Sequence, residues 1–262
     1  AADLPNDAPD LVVFGNVLRA GQGQLVPRQA AIQAGIPKSI DAMAVDMVCS
    51  SGMMSAMNGA MMIKAGEAEL VLTGGVESMS GAGFYQDAKT RWGHKYAPGG
   101  GTLHDIMFRD GLSDPMSGEA MGDQTERLAD DEDISREELD EVAALSHQRA
   151  AEATESGAFA DEIVPVEYRK RRETKTLRAD EGIREGTTMD SLGNLRPAFK
   201  TDGKLTAGNS SQISDGAAAL MLASEEAIDE YGLTPIVKLG ATAWSAGEPW
   251  RFPEAPLRAA QE

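Results

Sequence analysis

Cysteine is almost missing from this chain: one residue in 262, Cys49. That excludes an internal disulfide framework and any cysteine-based metal centre, and it fits a reducing, cytoplasmic setting. Histidine is nearly as scarce. His94, His104 and His147 lack the spacing of metal ligands, and surface or loop-packing roles are expected for all three. Aromatic residues make up only 5%. No apolar run approaches the length of a membrane span, and no signal peptide is recognisable. Positive charge is also short: 24 Lys and Arg face 42 Asp and Glu, for a formal net charge of −18. Such a surface repels nucleic acid and anionic membranes, so neither is an expected partner. Plain solubility accounts for the acidity, and so does a high-salt habitat in which repulsion is screened.

What the chain has in quantity is small and flexible side chains. Gly (28) and Met (13) are plentiful, and 42% hydrophobic residues suffice for a packed core. The length allows one large domain or two ordinary ones. Gly-rich, aromatic-poor chains suit α/β folds with close helix–sheet packing. The organising stretch is 45–56, VDMVCSSGMMSA. It reads as strand, tight turn and helix, with the thiol at the helix start. A helix N-terminus offers unpaired N–H groups and a positive dipole end. Both favour a thiolate, which is a nucleophile. A buried, inert thiol is the alternative that these residues alone leave open.

Residues 1–10 form a polar, Pro-rich lead-in. The pattern then predicts strands over 11–16, 40–48, 70–73, 162–168, 217–222 and 236–244. It predicts helices over 24–34, 51–65, 119–130, 136–156, 187–195 and 225–231. Gly66, Gly157 and Gly232 stand where helices should stop. Gly74-Gly75 should close the strand at 70–73, and the strand at 217–222 should be buried. Ser135 and Glu138 make a capping box. The β-α-β-α-β order up to residue 75 argues for a sheet layered with helices. Residues 84–102 break that pattern as a long excursion. Lys170-Arg171-Arg172 is a basic island, read either as a solvated loop or as part of a grip on a polyanion.

Seven stretches share one family's order and spacing. They are GNVLRAGQGQLVPRQAA from Gly15, VCSSGMMSAM from Val48, GGVESMS from Gly74, MGDQTERLA from Met121, FADEIVPV from Phe159, LRPAF from Leu195 and TAGNSSQISDGAAAL from Thr206. The chain resembles a thiolase, an acyl-CoA acetyltransferase of the type that includes acetoacetyl-CoA thiolase. The resemblance implies an α/β fold: a layered thiolase core with an inserted α/β loop domain. Residues 1–83 would be the first part of the N-terminal core, 84–205 the loop domain, and 206–262 the return to the core. It implies ping-pong acyl transfer between coenzyme A thioesters, which are substrates, with no cofactor and no metal. Cys49 matches the nucleophile that forms the acyl-thioester intermediate. Leu112, Met121, Arg184, Phe199, Ala207 and Ser211 fall at positions that contact coenzyme A. A homodimer or homotetramer is implied as well. Duller readings stay open: Arg184 pairing with a surface acid, Phe199 in the core, Asp215-Gly216 as a plain turn.

The departures from the family are specific. A Gly-His-Pro histidine, an Asn-Glu-Ala-Phe asparagine and a Cys-x-Gly-Gly-Gly cysteine belong to the C-terminal part of the family, and none occurs here. The C-terminal thiolase domain and the usual opening strand and helix are therefore expected to be absent. The 262 residues alone are then expected to be inactive, or nearly so, in carbon–carbon exchange. A bare core face should make them dimerise or aggregate. Ala120 stands where the biosynthetic branch often has a histidine. That leaves open a longer-chain degradative 3-ketoacyl-CoA thiolase. Also open are a related condensing enzyme using carrier-protein substrates, and a non-catalytic or partner-dependent fragment.

Overall fold

In the computed structural model, residues 4–93 and 100–262 are described. His94 and the middle of the excursion at 84–102 lie outside them. In chain order, β1 (Leu11–Gly15), α1 (Val26–Gln33), β2 (Asp41–Val45), α2 (Ser51–Lys64) and β3 (Leu70–Ser78) come first. The short pair β4 (Phe84–Gln86) and β5 (Leu103–Asp105) precedes a π-helical stretch at Met107–Leu112. Then come α3 (Met121–Asp131), α4 (Arg136–Glu155), the hairpin of β6 (Val166–Lys170) and β7 (Glu173–Leu177), and α5 (Met189–Gly193). β8 (Asp215–Ala223), α6 (Glu225–Tyr231) and α7 (Ala255–Gln261) follow. No helix among the described residues is long and apolar enough to cross a membrane.

Contacts divide the chain into two compact units. One holds the described residues up to Gly118 with Ile213–Ala246 and Ala255–Glu262. The other holds Glu119–Gln212 with Gly247–Glu254. In the first, the sheet order is β2-β1-β3-β8. β1 runs parallel to β2 and to β3, while β8 lies antiparallel to β3. Successive side chains of β1 feed opposite faces. Val12 and Phe14 pack with Ala31 of α1 and with Ile40. Val13 packs with Val71 and Ala68, under Met62 and Ile63 of α2.

The seating of α2 depends on what its inner face lacks. Ser51, Ser55 and Gly59 recur every four residues and are all buried. Ser55 Oγ donates to the Gly74 carbonyl at 2.7 Å and accepts from the Gly74 N–H at 3.1 Å. A Cβ on Gly59 would come within 2.8 Å of Thr73 Cγ2. On the facing strand, a Cβ on Gly15 would come within 2.7 Å of the Ser51 and Gly52 backbone. The helix start thus lies directly on β1.

In the other unit, two buried acids do the tying. Glu126 of α3 accepts the N–H groups of Lys204 (2.9 Å) and Leu205 (2.8 Å). Asp140 of α4 pairs with Arg136 at 2.7 Å and accepts from Asn209 Nδ2 at 2.8 Å. The capping box forms as the sequence predicts: Ser135 N–H donates to Glu138, and Glu138 N–H to Ser135 Oγ. The Ser135 N–H and the Ser135 hydroxyl, both donating to the Glu138 carboxylate at 2.8 Å, hold that carboxyl below its usual range.

Four expectations need correction. β3 does not close at Gly74-Gly75 but runs to Ser78, because β8 supplies partners for both glycines. The missing side chain at Gly74 makes room for the Ala218 backbone. β8 itself is not buried, since it is the outer strand of its sheet and residues 215–220 are exposed. The strand expected at 162–168 begins later, at Val166. The segment before it folds into turns closed by Ala160 N–H to Gly157 O and Ile163 N–H to Phe159 O. Residues 236–244 form no strand, and Ile236 is fully exposed. A β-branched run becomes a strand only with a neighbour to pair with.

The seating of α2 predicts a sharp contrast between two glycines. Gly15→Ala forces a methyl into rigid backbone and should cost at least ~2 kcal/mol. Gly52→Ala meets nothing within 4 Å, so helix propensity should make it neutral or stabilising by up to ~1 kcal/mol. Urea unfolding of the two variants checks this, and equal losses would contradict the packing.

Candidate active site

Cys49 sits in the turn that carries the chain from the end of β2 into α2, and its side chain is exposed. Exposure removes the buried-thiol alternative. The turn is held by side chains at both ends. Asp46 Oδ1 accepts the Val48 N–H at 3.1 Å, and its Oδ2 lies 3.3 Å from Arg19 Nη2. Ser51 Oγ accepts the Met47 N–H at 2.8 Å and donates to the Val48 carbonyl at 2.6 Å. Between them Val48 adopts φ +50°, a left-handed backbone that β-branched residues rarely take. Ser50 occupies the N-cap position, yet its side chain makes no cap bond. Ser51, one residue later, does the holding instead.

A second fixture lies at the same carboxyl ends of the parallel strands. Glu77, near the end of β3, accepts the N–H groups of Val17 (2.9 Å) and Leu18 (3.0 Å). It also accepts from Asn16 Nδ2 at 3.2 Å. Asn16 is buried, and its Nδ2 donates to the Val76 carbonyl at 3.0 Å as well. Glu77 therefore clamps the loop that leaves β1. In open α/β sheets ligands bind beyond these strand ends.

The remaining candidates divide between the units. Leu112 shares the unit of Cys49, half-buried at the end of the π-helical stretch. Met121, Arg184, Phe199, Ala207 and Ser211 belong to the other unit. Pro197 and Thr206 bridge as a short antiparallel pair, with Ala198 N–H donating to Leu205 O at 2.9 Å. Phe199 lies inside that loop, and its ring fills the space left by Gly122, next to Met121. Phe199 is 40% exposed, so it is not a core residue. Ala207 and Ser211 are exposed on the segment 206–211. Asn209 anchors that segment: its Oδ1 accepts the Thr206 N–H at 2.7 Å and its Nδ2 reaches Asp140.

Arg184 is exposed, and its side chain makes no ion pair among the described residues. The surface-acid alternative is thereby removed. The backbone around it is fixed. His147 Nδ1 accepts the Arg184 N–H at 3.3 Å, and Thr187 Oγ1 donates to the Arg184 carbonyl at 2.8 Å. Gln212 fills the space beside Gly182 that a Cβ would need.

The other expectations resolve simply. His104 packs on Tyr85, ring centroids 5.2 Å apart, within the β4–β5 pair. Arg171-Arg172 form the exposed two-residue loop of the β6–β7 hairpin. Asp215-Gly216 are not a turn but the first pair of β8, where Asp215 accepts Ser80 N–H at 2.9 Å. Bonds from Ser80 hold its carboxyl below the usual range. No group of three or more His, Cys, Asp or Glu among the described residues could hold a metal ion. Sequence reading missed Asp46, Ser51, Glu77, His147, Asn209 and Gln212. Only Ser51 left a signal there, a hydroxyl two residues past Cys49.

Ser51→Ala removes an acceptor from the part-buried Met47 N–H and a donor from the Val48 carbonyl. It should cost ~1–3 kcal/mol. Ser50→Ala removes no cap bond and should stay within ~0.5 kcal/mol of the parent. Chemical unfolding distinguishes them, and the reverse order would contradict the geometry of the turn.

Comparison with known proteins places these features. The family profile described as "Thiolase, N-terminal domain" matches residues 1–226. A protein named acetyl-CoA acetyltransferase from Synechocystis sp. is 56% identical over 262 residues, covering 100% of this chain and 66% of that protein. The Escherichia coli protein of the same name is 40% identical over 261 residues and is covered to the same 66%. The crystal structure of the Bacillus anthracis acetyl-CoA acetyltransferase superposes with a TM-score of 0.93 at 36% identity, over 98% of this chain and 64% of that one. The chain thus spans just under two thirds of the length of these relatives.

Proposed function

The chain belongs to the thiolase family through its N-terminal domain, and from that premise we propose that it works in acyl transfer between coenzyme A thioesters through an acyl-Cys49 intermediate. The observation that carries this reading is the exposed Cys49 on a braced strand-to-helix turn. The Cys49 thiolate attacks the carbonyl carbon of an acyl-CoA. The carbon–sulfur bond to coenzyme A breaks, coenzyme A leaves as its thiolate and takes from solvent the proton that the Cys49 thiol gave up, and the acyl group stays on Cys49. Either coenzyme A or the carbanion of a second acetyl-CoA then takes the acyl group, the latter giving acetoacetyl-CoA. Backbone N–H groups at the start of α2 are suited to hold the developing oxyanion.

The coenzyme A grip is proposed for Leu112, Met121, Arg184, Phe199, Ala207 and Ser211. Coenzyme A has a phosphate-rich end and a long apolar-to-polar arm. The unpaired Arg184 fork suits phosphate or an adenine face. The part-exposed Phe199 ring suits packing against the ligand. The small residues at 207–211 let an arm approach the backbone closely. The assignment of 84–205 as an inserted loop domain, and assembly as a homodimer or homotetramer, belong to the same proposal.

A second reading follows from the composition. Carbon–carbon exchange needs a base to take the α-proton and an acid to return it. The 262 residues hold one cysteine and no Gly-His-Pro histidine. We therefore assign to this stretch the acyl-enzyme half-reaction. The carbon–carbon step would depend on groups supplied from elsewhere.

Isotope exchange separates these statements. Labelled coenzyme A should exchange into unlabelled acetyl-CoA, and Cys49→Ser should abolish the exchange. Thiolysis of acetoacetyl-CoA by the same chain should be nearly undetectable. Exchange that survives Cys49→Ser would overturn the nucleophile. Thiolysis at the rate of full-length relatives would overturn the division between half-reactions.

A further inference from the structure

We infer that His147 is a positioning residue for Arg184, a role that no motif in the sequence marks. The inference rests on the coenzyme A reading of Arg184. His147 lies on α4 seven residues after Asp140, so both side chains project from one face of the helix. Asp140 fixes that face: it is buried, pairs with Arg136 at 2.7 Å and holds Asn209 at 2.8 Å. Arg136 Nη2 further donates to the Leu192 carbonyl of α5 at 2.6 Å. The stretch of α4 bearing His147 is thus tied to the segment carrying Ala207 and Ser211.

Two turns along that face, His147 Nδ1 accepts the Arg184 N–H at 3.3 Å. The bond requires the imidazole tautomer with its proton on Nε2. Thr187 closes the other side, its N–H (3.1 Å) and its hydroxyl (2.8 Å) both donating to the Arg184 carbonyl. Gln212, next to Ser211, rests on the backbone at Gly182. Both polar backbone groups of Arg184 are therefore occupied, while its guanidinium is not ion-paired. A long side chain on a fixed base gives up less freedom when it closes on a ligand. His147 supplies the base from α4, and the ligand it serves is the anionic end of coenzyme A.

Titration calorimetry with coenzyme A tests this on the full 262-residue chain. His147→Leu keeps bulk but removes the acceptor, and should weaken binding about fivefold. His147→Asn places an amide oxygen near the position of Nδ1 and should recover most of that loss. Arg184→Ala should weaken binding too, and His147→Leu should add nothing in its presence. Equal losses for Leu and Asn would overturn the inference, because a packing role does not distinguish them. So would an undiminished effect of His147→Leu in the Arg184→Ala background. Unchanged binding in Arg184→Ala alone would instead overturn the assignment of Arg184, and with it the inference. Thermal unfolding of each variant shows that the differences arise in the folded protein.

Discussion

The close approach of α2 to the sheet is the constraint on which the rest of the first unit depends. A helix normally stands off a sheet by the depth of its side chains. Here Ser51, Ser55 and Gly59 on the helix and Gly15 on β1 remove that depth. The remaining polar contact is satisfied within the interface, where Ser55 serves both the N–H and the carbonyl of Gly74. A buried hydroxyl without such partners would cost ~1–3 kcal/mol. With the helix pinned, the turn before it has little choice of path. Asp46 and Ser51 then hold Val48 in a backbone it would not choose, and Cys49 faces outward. Strain of this kind persists only where the surroundings over-determine it.

The second unit uses charge where the first uses absence of bulk. The chain is strongly acidic, and most of its carboxylates face water. Glu126 and Asp140 do not, and neither is left bare. Glu126 meets two backbone N–H groups, and Asp140 meets Arg136 and Asn209. An unpaired buried carboxylate would cost several kcal/mol. Satisfied in this way, the two acids fix the segment 203–209, which leads into the small residues proposed to receive coenzyme A. Arg251 works similarly at the end of α3, pairing with Asp131, Glu132 and Glu254 and lying over Trp250 beside Arg127. Arg251 thus offsets the acids that crowd at that helix end.

Local signals in the sequence predicted the elements that depend on them. The helix over α2, its stop at Gly66, the capping box of α4 and the stop of α6 at Gly232 all depend on a few neighbouring residues. The strand assignments fared worse wherever pairing decided the outcome. Gly74-Gly75 read as punctuation, yet they are ladder positions opposite β8. Residues 236–244 carry strand chemistry without a partner. The site shows the same division. A lone thiol before small residues marked Cys49 as a candidate and left a buried thiol open beside it, and the family resemblance made the choice. Its bracing by Asp46 and Ser51 was not legible, since the signal is geometric. His147 is 37 residues from Arg184, and nothing in the spacing of α4 points to a loop so distant.

The acyl-Cys49 intermediate is the central claim, and intact-protein mass spectrometry with peptide mapping after incubation with acetyl-CoA tests it most directly. One acetyl group on the peptide containing Cys49, released again by free coenzyme A, is the predicted result. No adduct, or an acetyl group on any other residue, would contradict it.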